Sequence, residues 1–149
     1  MKVVALLAGL AVLALAGFAV WVRIAPSVPE KWHVDPLTVT ERGKLNSYLL
    51  ADGGDAPALR VEMAPAEAAA RLEAIALATP RTRRLAGQGE FVTYVTRSRL
   101  WGFPDYTSVR FVPVAGGCEI AIFARSRFGE SDLGVNRKRV EDWVRQLAS

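Results

Sequence analysis

The sequence predicts an α+β protein in which one N-terminal hydrophobic helix precedes an antiparallel sheet of four to six strands and a C-terminal helix packed across it. Three observations predict this fold. Residues 3–22 form an uncharged apolar run, residues 83–128 hold four β-like runs separated by short turns, and residues 136–147 repeat apolar side chains at helical spacing. The chain therefore divides into a hydrophobic segment and one domain of ordinary size.

The N-terminal run is long enough to cross a bilayer. Residues 3–22 contain no charge, and at 1.5 Å per residue they span roughly 30 Å, the thickness of the hydrocarbon core. Arg23 follows as a stop. A cleaved secretory signal is the alternative, because Lys2 is basic and residues 14–16 fit a small-residue cleavage pattern. The apolar run continues past that pattern, which favours an uncleaved transmembrane anchor over residues 1–23.

The next segment, residues 24–56, is predicted to be an extended tether that lies against the domain. It is rich in Pro, Gly, Asp and Thr and shows no sustained helical period. Its scattered apolar residues argue against free disorder, and residues 46–50 suit a short strand. The sole histidine, His33, is most simply a surface or satisfied interface residue rather than a ligand. Residues 57–149 form the predicted domain.

The domain begins with a strand at residues 59–63 and a helix from Pro65 to about Ala78, since Pro suits the first helical position. The four β-like runs that follow have turns too short to cross a sheet face, so they must form an antiparallel meander. Asn136 is predicted to cap the last helix. The apolar stripe of that helix consists of Val140, Trp143, Val144 and Leu147.

Positive charge is concentrated in the C-terminal half of the chain. Residues 24–80 carry 5 basic and 8 acidic groups, whereas residues 81–149 carry 12 basic and 7 acidic groups, and 11 of those 12 are Arg. Arg is the side chain best suited to bidentate pairing with carboxylate or phosphate. A nucleic-acid partner is not expected, because the sequence has no Lys-rich tail and no recognised binding motif.

Two Arg-Ser-Arg tripeptides are the main candidates for binding chemistry. Strand alternation places Arg97 and Arg99 on one face, and likewise Arg125 and Arg127. If one strand separates them, the two pairs lie roughly 10 Å apart, close enough for long side chains to meet. Four converging guanidinium groups need an anion or nearby carboxylates, for which Asp105 is one candidate. The alternative is a solvated sheet face with local ion pairs.

Two neighbouring segments extend this candidate site. The loop of residues 128–136 leads into the last helix, whose free N–H groups favour an anion, with Asp132 as a second internal counter-charge. The aromatic turn of residues 100–106 either lines a pocket mouth or caps the core. The candidate ligand-binding residues are Arg97, Arg99, Arg125, Arg127, Asp132, Asn136 and Arg137. The candidate pocket-lining residues are Trp101, Phe103, Tyr106 and Trp143.

No catalytic residue is predicted. A Ser-His-Asp or Cys-His arrangement would require His33 to meet a distant nucleophile, and no spacing supports this. One His and Cys118 are too few for the usual zinc site, and Cys118 is interpreted as a buried small apolar residue. Walker and dinucleotide glycine patterns do not occur. We therefore predict no metal and no cofactor.

The motifs resemble those of the bacterial domain-of-unknown-function family 1499. The resemblance rests on the two Arg-Ser-Arg tripeptides, the Phe-Pro-Asp turn at residues 103–105 and the run SDLGVNR at residues 131–137. It implies a compact α+β domain, often behind a membrane anchor or signal, without an established activity. The order of elements also resembles the helix-grip outline, which by itself implies no function.

This resemblance and the charge of Lys2 predict a single-pass protein of the inner (cytoplasmic) membrane, with its domain in the periplasm. The leading function hypothesis is a non-enzymatic binder of an anionic or amphipathic small molecule, held in a cleft between the sheet and the C-terminal helix or on an Arg-lined sheet face. The alternative is a structural or scaffolding subunit of a membrane complex, in which the same arginines pair with an acidic protein partner.

Overall fold

An antiparallel sheet organises the chain, as the sequence predicted. The computed structural model describes residues 1–40, 42–43 and 45–149; Glu41 and Lys44 of the predicted tether lie outside the described residues. The helical elements are α1 (Lys2–Ile24), α2 (Pro29–Trp32), a 3₁₀ helix (Pro36–Thr38), α3 (Pro65–Ala78) and α4 (Val135–Leu147). The strands are β1 (Ser47–Leu50), β2 (Leu59–Val61), β3 (Thr82–Gln88), β4 (Phe91–Arg97), β5 (Pro104–Val114) and β6 (Gly117–Ser126).

The strand order confirms the predicted meander. Strands β3, β4, β5 and β6 are consecutive antiparallel neighbours, and β1 and β2 both pair with the free edge of β6. The two short strands correspond to the runs predicted at residues 46–50 and 59–63. Strand β5 lies between β4 and β6, so the two Arg-Ser-Arg tripeptides are separated by one strand, as the predicted juxtaposition required.

Helices α3 and α4 cover the first face of the sheet and close the main core. The apolar stripe of α4 is buried as predicted, with Trp143 only 1% exposed. Its indole nitrogen donates to Thr79 Oγ1 at 2.8 Å, which ties α4 to the end of α3. Small residues of α3 allow close helix packing. The buried members on this face include Ala68, Leu72, Ala76, Tyr94, Val109, Phe111, Ile120, Ile122 and Val140.

The cap of α4 differs from the prediction. Gly134, with a φ of 79°, is the residue at the N-cap, and Asn136 already lies inside the helix. Asp132 supplies the capping carboxylate, which accepts from the backbone N–H of Gly134 at 3.0 Å and of Asn136 at 2.8 Å. A carboxylate satisfies free N–H groups at a helix start and suits the helix dipole. The Asn136 side chain is thereby released to bind the sheet.

The second face of the sheet is covered by residues 22–40, which we call the covering segment. Trp32 stacks on Tyr106 with ring centroids 4.0 Å apart, and the Tyr106 hydroxyl bonds Ser27 Oγ at 2.8 Å. Further along, His33 stacks on Phe91 at 3.8 Å. Stacked aromatic pairs stabilise a contact beyond the area that they bury. Part of the predicted tether is therefore fixed against the sheet.

The half-buried position of His33 predicts a pH dependence of stability. Its Nδ1 shares a hydrogen bond with Thr93 Oγ1 at 2.8 Å, and burial lowers the pKa of His33 below its usual value of 6.5, with the Asp35 carboxylate opposing part of that shift. The folded state thus binds its proton less readily than the unfolded state. This contribution to stability is complete above the unfolded pKa and is lost as the pH falls below it.

The urea midpoint of the full chain in detergent micelles should therefore decrease between about pH 7.5 and about pH 5. His33→Gln retains a hydrogen-bonding side chain that does not titrate, and should show a smaller decrease. An identical pH dependence for the wild type and His33→Gln would contradict this assignment.

Candidate functional site

Two of the four candidate arginines hold the covering segment through its backbone. Arg97 Nη1 donates to the carbonyl oxygens of Val22 at 3.2 Å and Gly102 at 2.8 Å. Arg127 Nη1 donates to the carbonyl oxygen of Pro26 at 2.8 Å. Carbonyl oxygens satisfy buried guanidinium donors without a bound anion. These two side chains fix the end of α1 and the residues after it.

Arg125 holds the same segment further along and lies in an aromatic environment. Its guanidinium lies 5.0 Å from the Trp32 ring centroid and 4.9 Å from that of Phe123. It also donates to the carbonyl oxygen of Lys31 at 3.2 Å. Burial lowers the pKa of Arg125 from its usual value, although an Arg stays protonated in proteins. Cation–π contacts of this kind strengthen as water is excluded.

Asp105 and Asp132 were predicted to be the counter-charges of the Arg-Ser-Arg guanidinium groups. This prediction is wrong, because both carboxylates bind other groups, Asp132 at the start of α4 and Asp105 in a separate network. Asp105 forms its salt bridge with Arg139 at 2.8 Å, in a pair whose side chains are only 11% and 10% exposed. Ser126 Oγ donates to the other Asp105 oxygen at 2.7 Å and accepts from Asn136 Nδ2 at 3.0 Å. Asn136 Oδ1 accepts from Arg139 Nη1 at 2.8 Å. This network joins α4 to β5 and β6.

A cleft of about 600 Å³ opens beside this network, between the end of α3, the turn after β4 and one side of α4. Its lining includes the carboxylates of Asp105 and Asp142, which are paired with Arg139 and Arg145. Three further cationic side chains border it, those of Arg81, Arg99 and Lys138. All three are exposed, and no described carboxylate lies within salt-bridge distance of them. Their charges are therefore available to an anion that enters the cleft.

The wall of the same cleft is partly apolar. Ile75 and Ala78 from α3 and Val135 from α4 line it, together with Trp143. Half of the Val135 side chain is exposed. Ligand sites typically combine apolar walls with a few placed polar groups. The arrangement can hold a molecule that has both an anionic group and an apolar part.

Arg81 has a backbone conformation that is uncommon for a residue other than glycine. Its φ is +61°, in the left-handed region. Two hydrogen bonds with Arg97 maintain it: Arg97 N donates to Arg81 O at 3.1 Å, and Arg81 Nε donates to Arg97 O at 3.0 Å. Strained residues of this kind concentrate at functional sites. The sequence analysis did not identify Arg81 or Lys138, and only Pro80 marked the bend that places Arg81 here.

The other predicted site residues are distributed around the domain. Of the predicted ligand-binding group, Arg97 and Arg99 line the cleft, whereas Arg137 pairs with Glu141 on the exposed side of α4 at 2.7 Å. Of the predicted pocket-lining aromatics, only Trp143 lines the cleft. Tyr106 lies under the covering segment, and Trp101 and Phe103 lie on the turn between β4 and β5. Within the described residues, no His, Cys, Asp and Glu cluster suited to a metal occurs.

The Asp105 network predicts a large loss of stability on removing its cation. Arg139→Ala would leave the buried Asp105 carboxylate unpaired and should lower the free energy of unfolding by about 3 kcal/mol. Urea denaturation of the full chain in detergent micelles measures this. Arg137→Ala removes an exposed charge from the same helix and should leave the midpoint nearly unchanged. Equal effects of the two substitutions would show that the network contributes little.

The position of Arg125 predicts faster opening of the covering segment when it is removed. Arg125→Ala deletes two hydrogen bonds, to the carbonyl oxygens of Lys31 and Trp32, and two cation–π contacts. The amides of residues 25–33 should therefore exchange with deuterium about tenfold faster. The matched control is Arg60→Ala. The Arg60 side chain lies on β2, is 76% exposed and pairs with Glu119 of β6. Unchanged exchange in Arg125→Ala would mean that aromatic stacking alone holds the segment.

Comparison with known proteins places this geometry in a family. The family described as protein of unknown function (DUF1499) matches residues 31–147, most of the chain. That match includes the cleft, both Arg-Ser-Arg tripeptides and the second half of the covering segment. No curated protein and no solved structure matches the chain. The protein is a member of the DUF1499 family.

Proposed function

We propose that this protein is a membrane-anchored binder of a small amphipathic molecule with an anionic group, held in the cleft between α3, α4 and the turn after β4. The observation that carries this proposal is the set of exposed cations Arg81, Arg99 and Lys138, which pair with no described carboxylate and lie beside an apolar wall. Guanidinium and ammonium groups recognise carboxylate or phosphate, and the wall takes an apolar body. No step of bond making or breaking is part of the proposal.

The anchor in this proposal is α1. Lys2–Ile24 is long and apolar enough to cross a membrane. A single pass would hold the cleft beside the bilayer, where amphipathic molecules are concentrated. We further propose that the membrane is the bacterial inner membrane and that the domain lies in the periplasm, on the basis of Lys2 with the α-amino group and of the signal-like segments frequent in the family. Protease added to spheroplasts should then degrade the domain, and a protected domain would reverse this orientation.

Native mass spectrometry of the full chain released from nanodiscs tests the binding proposal. The wild type should carry an anionic small molecule that a cleft variant lacks. The cleft variant is the triple substitution Arg81→Gln, Arg99→Gln and Lys138→Gln. A matched control with the same loss of charge is Arg60→Gln, Arg71→Gln and Arg137→Gln, all on exposed side chains outside the cleft.

The expected result is that the control retains the ligand at wild-type occupancy and the cleft variant loses at least about nine-tenths of it, since each charge-assisted hydrogen bond contributes about 1.5–3 kcal/mol. Equal occupancy in both variants would exclude the cleft as the site. An acidic protein partner that is lost only from the cleft variant would instead support the scaffolding role, in which the same cations bind a protein.

A further inference from the structure

The bilayer and the domain meet without a linker. The apolar run of α1 ends at Val22, after twenty residues that span roughly 30 Å. Val22 is nevertheless fully buried, while residues 1–18 are exposed. Its carbonyl oxygen also accepts from Arg97. In an anchored chain, the end of the sheet therefore lies at the surface of the hydrocarbon core.

Aromatic contacts between α1 and the domain also occur on the bilayer side of Val22. Phe18 lies four residues before Val22, which is about 6 Å deeper along the helix axis. Its ring meets the Phe103 ring edge-on at a centroid distance of 6.2 Å. Trp21 similarly meets Phe128 at 5.6 Å. Helical side chains tilt toward the N-terminus, which here is the bilayer side. Phe103 and Phe128 thus lie at the depth where aromatic residues concentrate in membranes.

The turn between β4 and β5 is tied to this end of α1. Arg23 donates to the Leu100 carbonyl oxygen at 2.6 Å and to the Ala19 carbonyl oxygen at 3.0 Å. The Leu100 side chain is 74% exposed, and Trp101 next to it is half-buried and stacks on Phe103. An exposed leucine beside aromatics is costly in water but is stabilised in a lipid interface.

Cationic side chains border the same turn. Arg23 and Arg99 line a second cleft of about 440 Å³ that faces the end of α1, together with Gly102. Basic residues at a membrane surface are attracted by anionic headgroups, by about 1 kcal/mol each. Apolar residues at the tip and arginines at the rim match the layered chemistry of a bilayer surface.

We propose that the turn of residues 98–103 is a second membrane contact: Leu100 and Trp101 enter the headgroup region of the bilayer that α1 spans, and Arg23 and Arg99 bind anionic lipid headgroups. This inference rests on the proposed anchoring. Arg99 also borders the ligand cleft, so the cleft opens next to the lipid headgroups. An amphipathic ligand then enters it from the bilayer surface without crossing bulk water.

The test uses the full chain in nanodiscs of equal parts phosphatidylcholine and phosphatidylglycerol. A fluorophore is attached to Leu100→Cys, and in a matched control to Ala115→Cys, on the turn at the opposite end of β5. Wild type, whose single Cys118 is buried, serves as the labelling blank. The Leu100→Cys label should be quenched by brominated lipid and protected from aqueous iodide, and the Ala115→Cys label should show the reverse.

The membrane contact would be overturned if iodide quenched the Leu100→Cys label as strongly as the Ala115→Cys label. If the same chain stayed in the bilayer after treatment with alkaline carbonate, the anchor would remain intact. A chain extracted by carbonate would overturn the anchor and this inference together. Adding Arg99→Gln to the labelled chain should reduce lipid quenching in the mixed nanodiscs and leave it unchanged in pure phosphatidylcholine. An equal reduction in both lipids would exclude a specific interaction of Arg99 with anionic headgroups.

Discussion

Both faces of strands β4, β5 and β6 are buried, but helices cover only one of the two faces. On the second face, Tyr106 and Phe123 are almost completely buried, as are the hydroxyls of Thr93 and Ser108. Burying these groups requires a cover that supplies both apolar contact and hydrogen bonds. The covering segment meets both needs, because its rings stack on the sheet while His33 Nδ1 bonds Thr93 Oγ1.

Because the covering segment lies on this face, three arginines of the sheet donate hydrogen bonds to its backbone. A segment without long helices or strands exposes carbonyl oxygens that need donors. Arg97, Arg125 and Arg127 extend from the sheet to those oxygens, so guanidinium groups that resemble an anion site in the sequence serve as backbone donors in the fold. Arg81, Arg99 and Lys138, which line the cleft and pair with no described carboxylate, come from three separate parts of the chain that meet at the cleft.

The predictable part of the structure is the part that periodicity encodes. The predicted strand runs and the stripe through Val140, Trp143 and Leu147 are confirmed, whereas β4 to β6 are buried almost continuously, because both faces of the sheet are covered. The hydrogen-bond partner of Arg125 could not be predicted, because it is the backbone carbonyl oxygen of Lys31 and every residue type carries such an oxygen. Asn136 was taken for a cap by its type, and only the fold shows that Asp132 is better placed. Arg81 depends on a left-handed backbone that the sequence does not mark.

The burial of Val22 affects where the chain can be shortened for work in aqueous solution. A soluble fragment of such a protein would ordinarily start just after the hydrophobic helix, at about residue 24. Here that truncation removes Val22 and its carbonyl oxygen, and leaves Ala25, which is 4% exposed, at a frayed terminus. It would also remove one of the two carbonyl oxygens that Arg97 binds. A fragment that retains the last turn of α1, with its outward-facing apolar residues changed to polar ones, would preserve the contact between Val22 and the sheet.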